Sequence, residues 1–300
     1  MTHRHLLFLA LLGASTAVHA QDDLLDLLGP DETGPEHTTA SFKTTRVING
    51  HSLENTAHGV LDFRISHRFG FLSGGINEFF GMDNADVRLG LDYGLTDRLM
   101  VGLGRSGHQK TVDGFLKYKL LRQCDAGCTA PLTIAVLATS SMTTAPSDLV
   151  PWYAPGREDY FSHRLTYAGQ VVVGRKFSEG FSMQLMPGVV HRNLVETAND
   201  PNDVFFLGVA GRGKITKRMA LNAEYFHALR DAVPGRQNSL SVGVDIETGG
   251  HVFQLHVTNS TGMFERAFIT ETTGDWGRGD VHFGFNISRV FTLHSPHKGS

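Results

Sequence analysis

Strict two-residue alternation is the feature that most limits how this chain can fold. In Leu61-Asp62-Phe63-Arg64-Ile65-Ser66-His67-Arg68-Phe69, the residues Leu61, Phe63, Ile65 and Phe69 share one face of an extended strand, and Asp62, Arg64, Ser66 and Arg68 share the other. Successive side chains of a strand point to opposite sides, so one face is apolar and the other charged. The same division recurs at 86–93, 113–120, 239–247 and 281–288. Weaker alternation marks further runs near 98–106, 132–140, 162–176, 181–192, 204–215, 218–227 and 251–259. No segment sustains a helical period, so the pattern predicts an all-β chain of about twelve strands.

Alternation alone also suits a soluble sandwich or barrel, which hides its apolar faces inside. The connections separate the two. Links near 95–97, 177–180, 216–217 and 248–250 are short, whereas those at 70–84, 141–161, 193–203, 228–238 and 260–280 are long. Short and long links alternate along the chain, as in an up-and-down antiparallel transmembrane β-barrel with tight periplasmic turns and longer outer loops. An even strand number puts both termini on the short-turn side. Two links depart from the rule: 107–111 is short where a long one is expected, and 123–131 is long where a short one is expected.

In such a barrel the polar faces line the lumen. They carry Asp62, Arg64, Arg68, Asp86, Arg88, Asp92, Asp113, Lys117, Lys119, Asp245 and Glu247, with Arg212, Lys214 and Glu224 on the weaker runs. Both signs are interspersed, so the charges can bridge one another or face water; turned toward lipid, each Arg or Lys would cost about 2–4 kcal/mol at mid-depth. Strand glycines such as Gly90, Gly102, Gly104, Gly174, Gly208, Gly243 and Gly284 suit a closely packed wall. Tyr93, Tyr118, Tyr167, Phe181, Tyr225, Phe283 and Phe291 lie on the apolar faces, several near strand ends, where an interfacial aromatic belt belongs.

Residues 1–20 read as a signal peptide: Arg4 opens a positive region, Leu6–Leu12 is apolar, and Val18-His19-Ala20 presents small residues for cleavage between Ala20 and Gln21. Residues 21–39 form an acidic, Pro- and Gly-punctuated tail, 40–293 the barrel domain, and 294–300 a short C-terminal tail. A formal net charge of -3 and the lack of any basic cluster argue against nucleic-acid binding. Cys124 and Cys128 are the two cysteines, and in an oxidising compartment a local disulfide is the default reading. Metal or redox use is disfavoured by the Cys-x3-Cys spacing and the absence of a second pair.

The chain resembles an uncharacterised family of exported bacterial outer-membrane β-barrel proteins, a domain of unknown function. The resemblance rests on Thr45-Arg46-Val47-Ile48-Asn49-Gly50-His51-Ser52, on 61–70, 88–99 and 113–119, on Thr270-Glu271-Thr272-Thr273-Gly274-Asp275-Trp276, and on Phe285–Phe291. It implies a barrel and outer-membrane residence but no activity. Seven residues follow Leu293, so an assembly signal would be read internally at Phe291.

Candidate chemistry is sparse. His256, His282, Asn286 and Ser288 share one parity on two neighbouring runs and form the only His/Ser/Asn set, without a Gly-x-Ser-x-Gly elbow. Asp200, Asn202 and Asp203 cluster oxygens in a loop, as a calcium site or as a solvated turn. The segment 270–279, with Trp276, is placed to fold over or into the mouth as a gate or receptor surface.

The reading is therefore a non-enzymatic barrel in the outer membrane of a Gram-negative bacterium, without cofactor or metal. It would be a pore, a small-solute transporter or a structural envelope protein. Its partners would be outer-membrane lipid, the barrel-assembly machinery and a periplasmic partner reached by the tail. The alternatives are a periplasmic or secreted barrel with its greasy faces turned in around an apolar ligand, and an envelope lipid hydrolase.

Overall fold

In the computed structural model the alternating runs become strands. Residues 35–230 and 233–294 are described; the expected signal peptide, most of the 21–39 tail and residues 295–300 lie outside them. The strands are β1 (Glu36–His37), β2 (Val60–Phe71), β3 (Ala85–Gly94), β4 (Leu99–Ser106), β5 (Thr111–Leu121), β6 (Cys124–Ala126) and β7 (Thr133–Thr143). They continue as β8 (Leu165–Ser178), β9 (Phe181–Arg192), β10 (Asp203–Lys214), β11 (Met219–Leu229), β12 (Ser239–Thr248), β13 (His251–Thr258) and β14 (His282–Thr292). One helix, α1 (Glu265–Thr270), interrupts the β13–β14 link. It is far too short to cross a membrane, and among the described residues no helix is long and apolar enough to do so.

All strands except β1 and β6 pair in sequence order, and β14 returns to β2, closing a twelve-stranded antiparallel barrel. Closure leaves no unpaired edge, the condition for a sheet to sit in hydrocarbon. Val60 pairs with Thr292 at one rim and Phe71 with His282 at the other. The turns 95–98, 179–180, 215–218 and 249–250 lie at the first rim, and the long links at the second. The exceptional 123–131 link is explained by its contents: it holds the Cys124–Cys128 disulfide and the strand β6, which pairs with β1.

The apolar faces point outward. Leu89, Leu91, Leu103, Leu116, Leu185, Leu207, Leu221 and Leu255 are all exposed on the outer wall. Tyr118, Phe181 and Phe291 ring the short-turn rim, and Tyr167, Tyr225 and Phe283 the long-loop rim. A ligand-holding barrel with these faces turned inward is thereby overturned.

The inward side is not uniformly polar, which corrects the expected charged lumen. Strands β8–β11 present Val172, Met186, Val190, Val204, Phe206 and Phe226 inward, all buried in one cluster. Their outer positions are apolar too. A strand with two apolar faces has no strong period, which is why these runs alternated weakly. Inward glycines make room for large neighbours: a Cβ at Gly102 would lie 2.2 Å from the Phe115 ring, and one at Gly208 2.6 Å from Phe226.

Leu103 is 65% exposed at the middle of β4, on the apolar outer wall. Replacing it with Arg is expected to destabilise the barrel in vesicles by about 2–4 kcal/mol. Reversible urea unfolding measures this; an unchanged midpoint would mean that this wall faces water.

Candidate functional site

The lumen is filled from both ends by the protein's own chain. From the short-turn side, residues after β1 enter the barrel, turn at Val47-Ile48-Asn49-Gly50 and leave again to start β2. The turn is closed by Val47 N–H donating to the Gly50 carbonyl (2.8 Å) and Ser52 N–H donating to the Thr45 carbonyl (2.9 Å), with Arg46 bridged to His51. Asn-Gly at a tight turn is a familiar local signal. Here the glycine is also dictated by contact, since a Cβ at Gly50 would sit 2.5 Å from Phe226.

This hairpin would leave its backbone groups unpaired in a dry lumen, and the strand walls supply the partners. The Glu224 carboxylate accepts the N–H groups of Ile48 (3.2 Å), Asn49 (2.7 Å) and Gly50 (3.1 Å). Gln184, Gln254 and Asn286 donate to the carbonyls of His51, Val47 and Ile48. Lys117 donates to the Ser52 and Glu54 carbonyls, Thr45 donates to Asp92 (2.7 Å), and Asn49 donates to Ser241 (3.0 Å). At the rim, Lys43 pairs with Glu247 and Glu54 with Lys119. Phe42, Val47 and Leu53 pack into the apolar half. The chain entering the hairpin is anchored outside the barrel: Thr38 N–H donates to the Gln123 carbonyl (2.9 Å) and its hydroxyl to Asp125 (2.6 Å), beside the disulfide.

The β13–β14 link enters from the opposite mouth. Every residue of α1 is buried, and Phe268 meets Phe226 with ring centroids 4.8 Å apart. Arg266 donates to Gln109 (2.7 Å) and Thr143 (3.2 Å). Arg68 joins the two insertions: it donates to the carbonyls of Ser260 and Gly262, both at 2.8 Å, and to the Asn49 side chain. Arg46 and His51 of the hairpin reach Glu265 of α1 at 3.5 and 3.6 Å. Burial pushes the Glu265 carboxyl up, opposed by Arg46. It pushes the His51 imidazole well down, and the charges of Arg46, Lys117 and Arg88 act in the same direction. At Glu271, burial raises the carboxyl, but Arg266 and His108 outweigh it and hold it at about 2.

Among the residues expected to line the lumen, Asp62, Arg64, Arg68, Arg88, Asp92, Asp113, Lys117 and Asp245 are buried inside the barrel, whereas Asp86, Lys119 and Glu247 are half-buried. Arg88 makes a two-pronged pair with Asp113, and Asp62 accepts from Ser288 (2.5 Å). Cys124 and Cys128 are bonded. The His/Ser/Asn set is not assembled into a catalytic array. His256 stands opposite Gly284, His282 is bonded to Thr261 and the Phe69 carbonyl, Asn286 donates to Gln254, and Ser288 is held by Asp62. Asp200 closes a turn by accepting from Thr197, while Asp203 pairs with His191 (2.7 Å), so the loop oxygens do not converge. Among the described residues no cluster of three potential metal ligands occurs. The Ala20–Gln21 junction lies outside the described residues. Trp276 does not enter the mouth; it donates to the Leu240 carbonyl (3.2 Å), and the inserted part is the preceding stretch through α1.

Among the cavities of the described residues, two flank the plug. One of about 210 Å³ opens at the outer mouth above α1, and one of about 530 Å³ at the short-turn mouth between hairpin and wall, lined by Lys43, Asp62, Glu247 and Ser288. Hairpin tip and α1 lie between them.

A closed antiparallel barrel with an apolar outer wall, aromatic rims and an internally satisfied lumen defines a membrane-spanning β-barrel protein. The chain belongs to the membrane bound beta barrel domain family (DUF5777), which it matches over residues 42–291, so the hairpin is part of the family domain. A search of curated proteins finds no match. Among solved structures, the chain is similar to the NanC porin (10% identity, 77% of this chain and 98% of that one, TM-score 0.45). It is also similar to an outer membrane channel from Pseudomonas putida F1 (13%, 80% and 98%, TM-score 0.43) and to outer membrane phospholipase A from Escherichia coli (10%, 83% and 97%, TM-score 0.42).

With Ile48→Cys as reporter, Glu224→Gln is expected to weaken docking by about 2 kcal/mol, raising thiol labelling by a water-soluble maleimide roughly thirtyfold. Equal labelling rates would mean that Glu224 does not hold the turn. His51 has a folded value below its ordinary one, so its stabilising contribution is complete above about pH 6.5 and declines as pH falls below that. Hairpin labelling should therefore rise between pH 7.5 and 5.5 more steeply in the parent protein than in a His51→Gln variant; parallel profiles would remove His51 from the account.

Proposed function

We propose that the protein is an outer-membrane channel for small solutes, described here in its closed state. The observation that carries the reading is the nature of the closure. Between the two mouth cavities, the barrier on the β2–β5 and β12–β14 side is made mainly of hydrogen bonds and ion pairs, with one apolar patch at Met100 and Phe115, where the Phe115 ring meets His51 and Arg46. Water can replace such bonds at modest net cost, since an intramolecular hydrogen bond contributes only about 0.5–1.5 kcal/mol. Withdrawing the hairpin would expose a passage lined by Asp62, Arg64, Arg88, Asp92 and Asp113. The β8–β11 side, packed around Phe206, Phe226 and Phe268, would stay in place.

The proposed location is the outer membrane of a Gram-negative cell, with the short-turn rim at the periplasm. The apolar wall meets outer-membrane lipid, and Phe291, near the end of β14 and facing outward, offers an internal signal to the assembly machinery. β1 sits at the short-turn rim, and the proposal includes a periplasmic partner that draws on the hairpin from that side.

Planar-bilayer recording tests this. The parent protein is expected to be silent or rarely open, and a variant lacking residues 42–55, still heat-modifiable in gel mobility, is expected to conduct steadily. A folded deletion variant that never conducts would contradict the channel reading and leave a structural barrel.

A further inference from the structure

We infer that the outer-mouth cavity is a binding site for a small organic oxyanion, a carboxylate or a phosphate. The inference names the solute class of the proposed channel and in that respect rests on it. The cavity of about 210 Å³ lies over α1 and is walled by Pro151, Trp152, Leu194, Val195, Glu196 and Arg236 of the outer links. Its size suits a compact solute of a few carbons.

The chemistry of its lining is one-sided. Two buried side-chain nitrogens there have neither a hydrogen-bond nor an ion-pair partner, Trp152 Nε1 and Arg192 Nε, whereas Arg266 Nε and His108 Nε2 face the Glu271 carboxylate. Trp152 and Arg192 are 5% and 4% exposed, so these groups are not simply hydrated surface atoms. Among the described residues, no oxygen of a lining side chain is left in the same state. Buried unsatisfied donors are costly, and a ligand bringing acceptors relieves that cost.

Charge narrows the ligand further. The carboxylates at the cavity are already engaged: Glu196 with Arg236 (2.5 Å), and Glu271 with Arg266 (3.4 Å) and His108 (3.5 Å). Arg192 is not so engaged. It donates to the Pro201 carbonyl (2.6 Å), and no carboxylate of the described residues pairs with it. A buried cation with an open Nε–H, lining the same cavity as an indole N–H, matches an oxyanion better than a neutral polyol. Pro151, Leu194 and Val195 add apolar wall for a carbon skeleton. A polar minority of donors set in an apolar frame is the usual form of a small-molecule site.

Calorimetric titration of the full-length, detergent-solubilised protein with citrate, inorganic phosphate and glucose in separate runs tests the site. Saturable binding of citrate or phosphate, with none of glucose, is expected, and the stronger of the two anions identifies the class. Arg192→Gln should weaken anion binding at least tenfold while heat-modifiable mobility is retained. In a Trp276→Phe background, the remaining Trp152 should change its fluorescence on anion addition. The inference is overturned if neither anion saturates at millimolar concentration, if glucose binds equally, or if Arg192→Gln binds as the parent does. Binding is measured on the closed protein and needs no opening. Anion binding without conductance in the deletion variant would therefore refute the channel alone, and conductance without binding the site alone.

Discussion

The rest of the structure depends on one carboxylate in the lumen receiving the turn of a re-entrant hairpin. Glu224 takes three consecutive backbone N–H groups, from Ile48, Asn49 and Gly50, which no strand ladder could satisfy at that depth. A buried carboxylate with no partner and a buried turn with three free donors are each unfavourable. Together they make a fixed point around which Arg68 then ties Asn49 to the Ser260 and Gly262 carbonyls of the opposite insertion. Each plug is thus fastened to the wall and to the other plug.

Because the barrel divides into an apolar and a polar half, the two plugs are not held alike everywhere. Against β8–β11, Phe42, Val47, Phe268 and Ile269 complete a core as tightly buried as that of a soluble domain. Against β2, β3, β5 and β12–β14 the contacts are mainly hydrogen bonds and ion pairs, whose individual net contributions are small, with the Phe115 ring against His51 and Arg46 as the apolar exception. A rearrangement would therefore start on the polar side. The two mouth cavities, the disulfide-bearing loop that anchors the incoming chain, and the outer mouth are the parts that the proposed channel would use.

Much of this architecture was legible in residue order. The run from Leu61 to Phe69 alternates because one face meets lipid and the other the lumen, and the link lengths told the two rims apart. All twelve expected runs are barrel strands. The weak alternation at 162–227 was also meaningful, since those strands are apolar on both faces, but alternation arguments alone cannot separate that from noise. The hairpin escaped because Thr45–Ser52 carries no hydrophobic period. Its partners, Glu224, Gln184, Gln254 and Asn286, lie far along the chain on separate strands. The tight Asn49-Gly50 turn signal was present, yet nothing local says that a turn lies inside a barrel. Likewise α1 reads as part of a long outer link, although Phe264, Phe268 and Ile269 already spell an apolar face too greasy for an exposed loop. The His256/Ser288 set shared the right parity, but parity fixes a face, not a height: the register pairs His256 with Gly284, and Ser288 with Val252.

Amide hydrogen exchange at Ile48, Asn49 and Gly50 in the detergent-solubilised protein tests the central claim most directly. If the turn is held in the lumen by Glu224, these three amides exchange as slowly as those in the strand interiors of β11 and β12. Exchange at the rate of the exposed outer links would show that the hairpin does not reside there, and the doubly plugged lumen would be wrong.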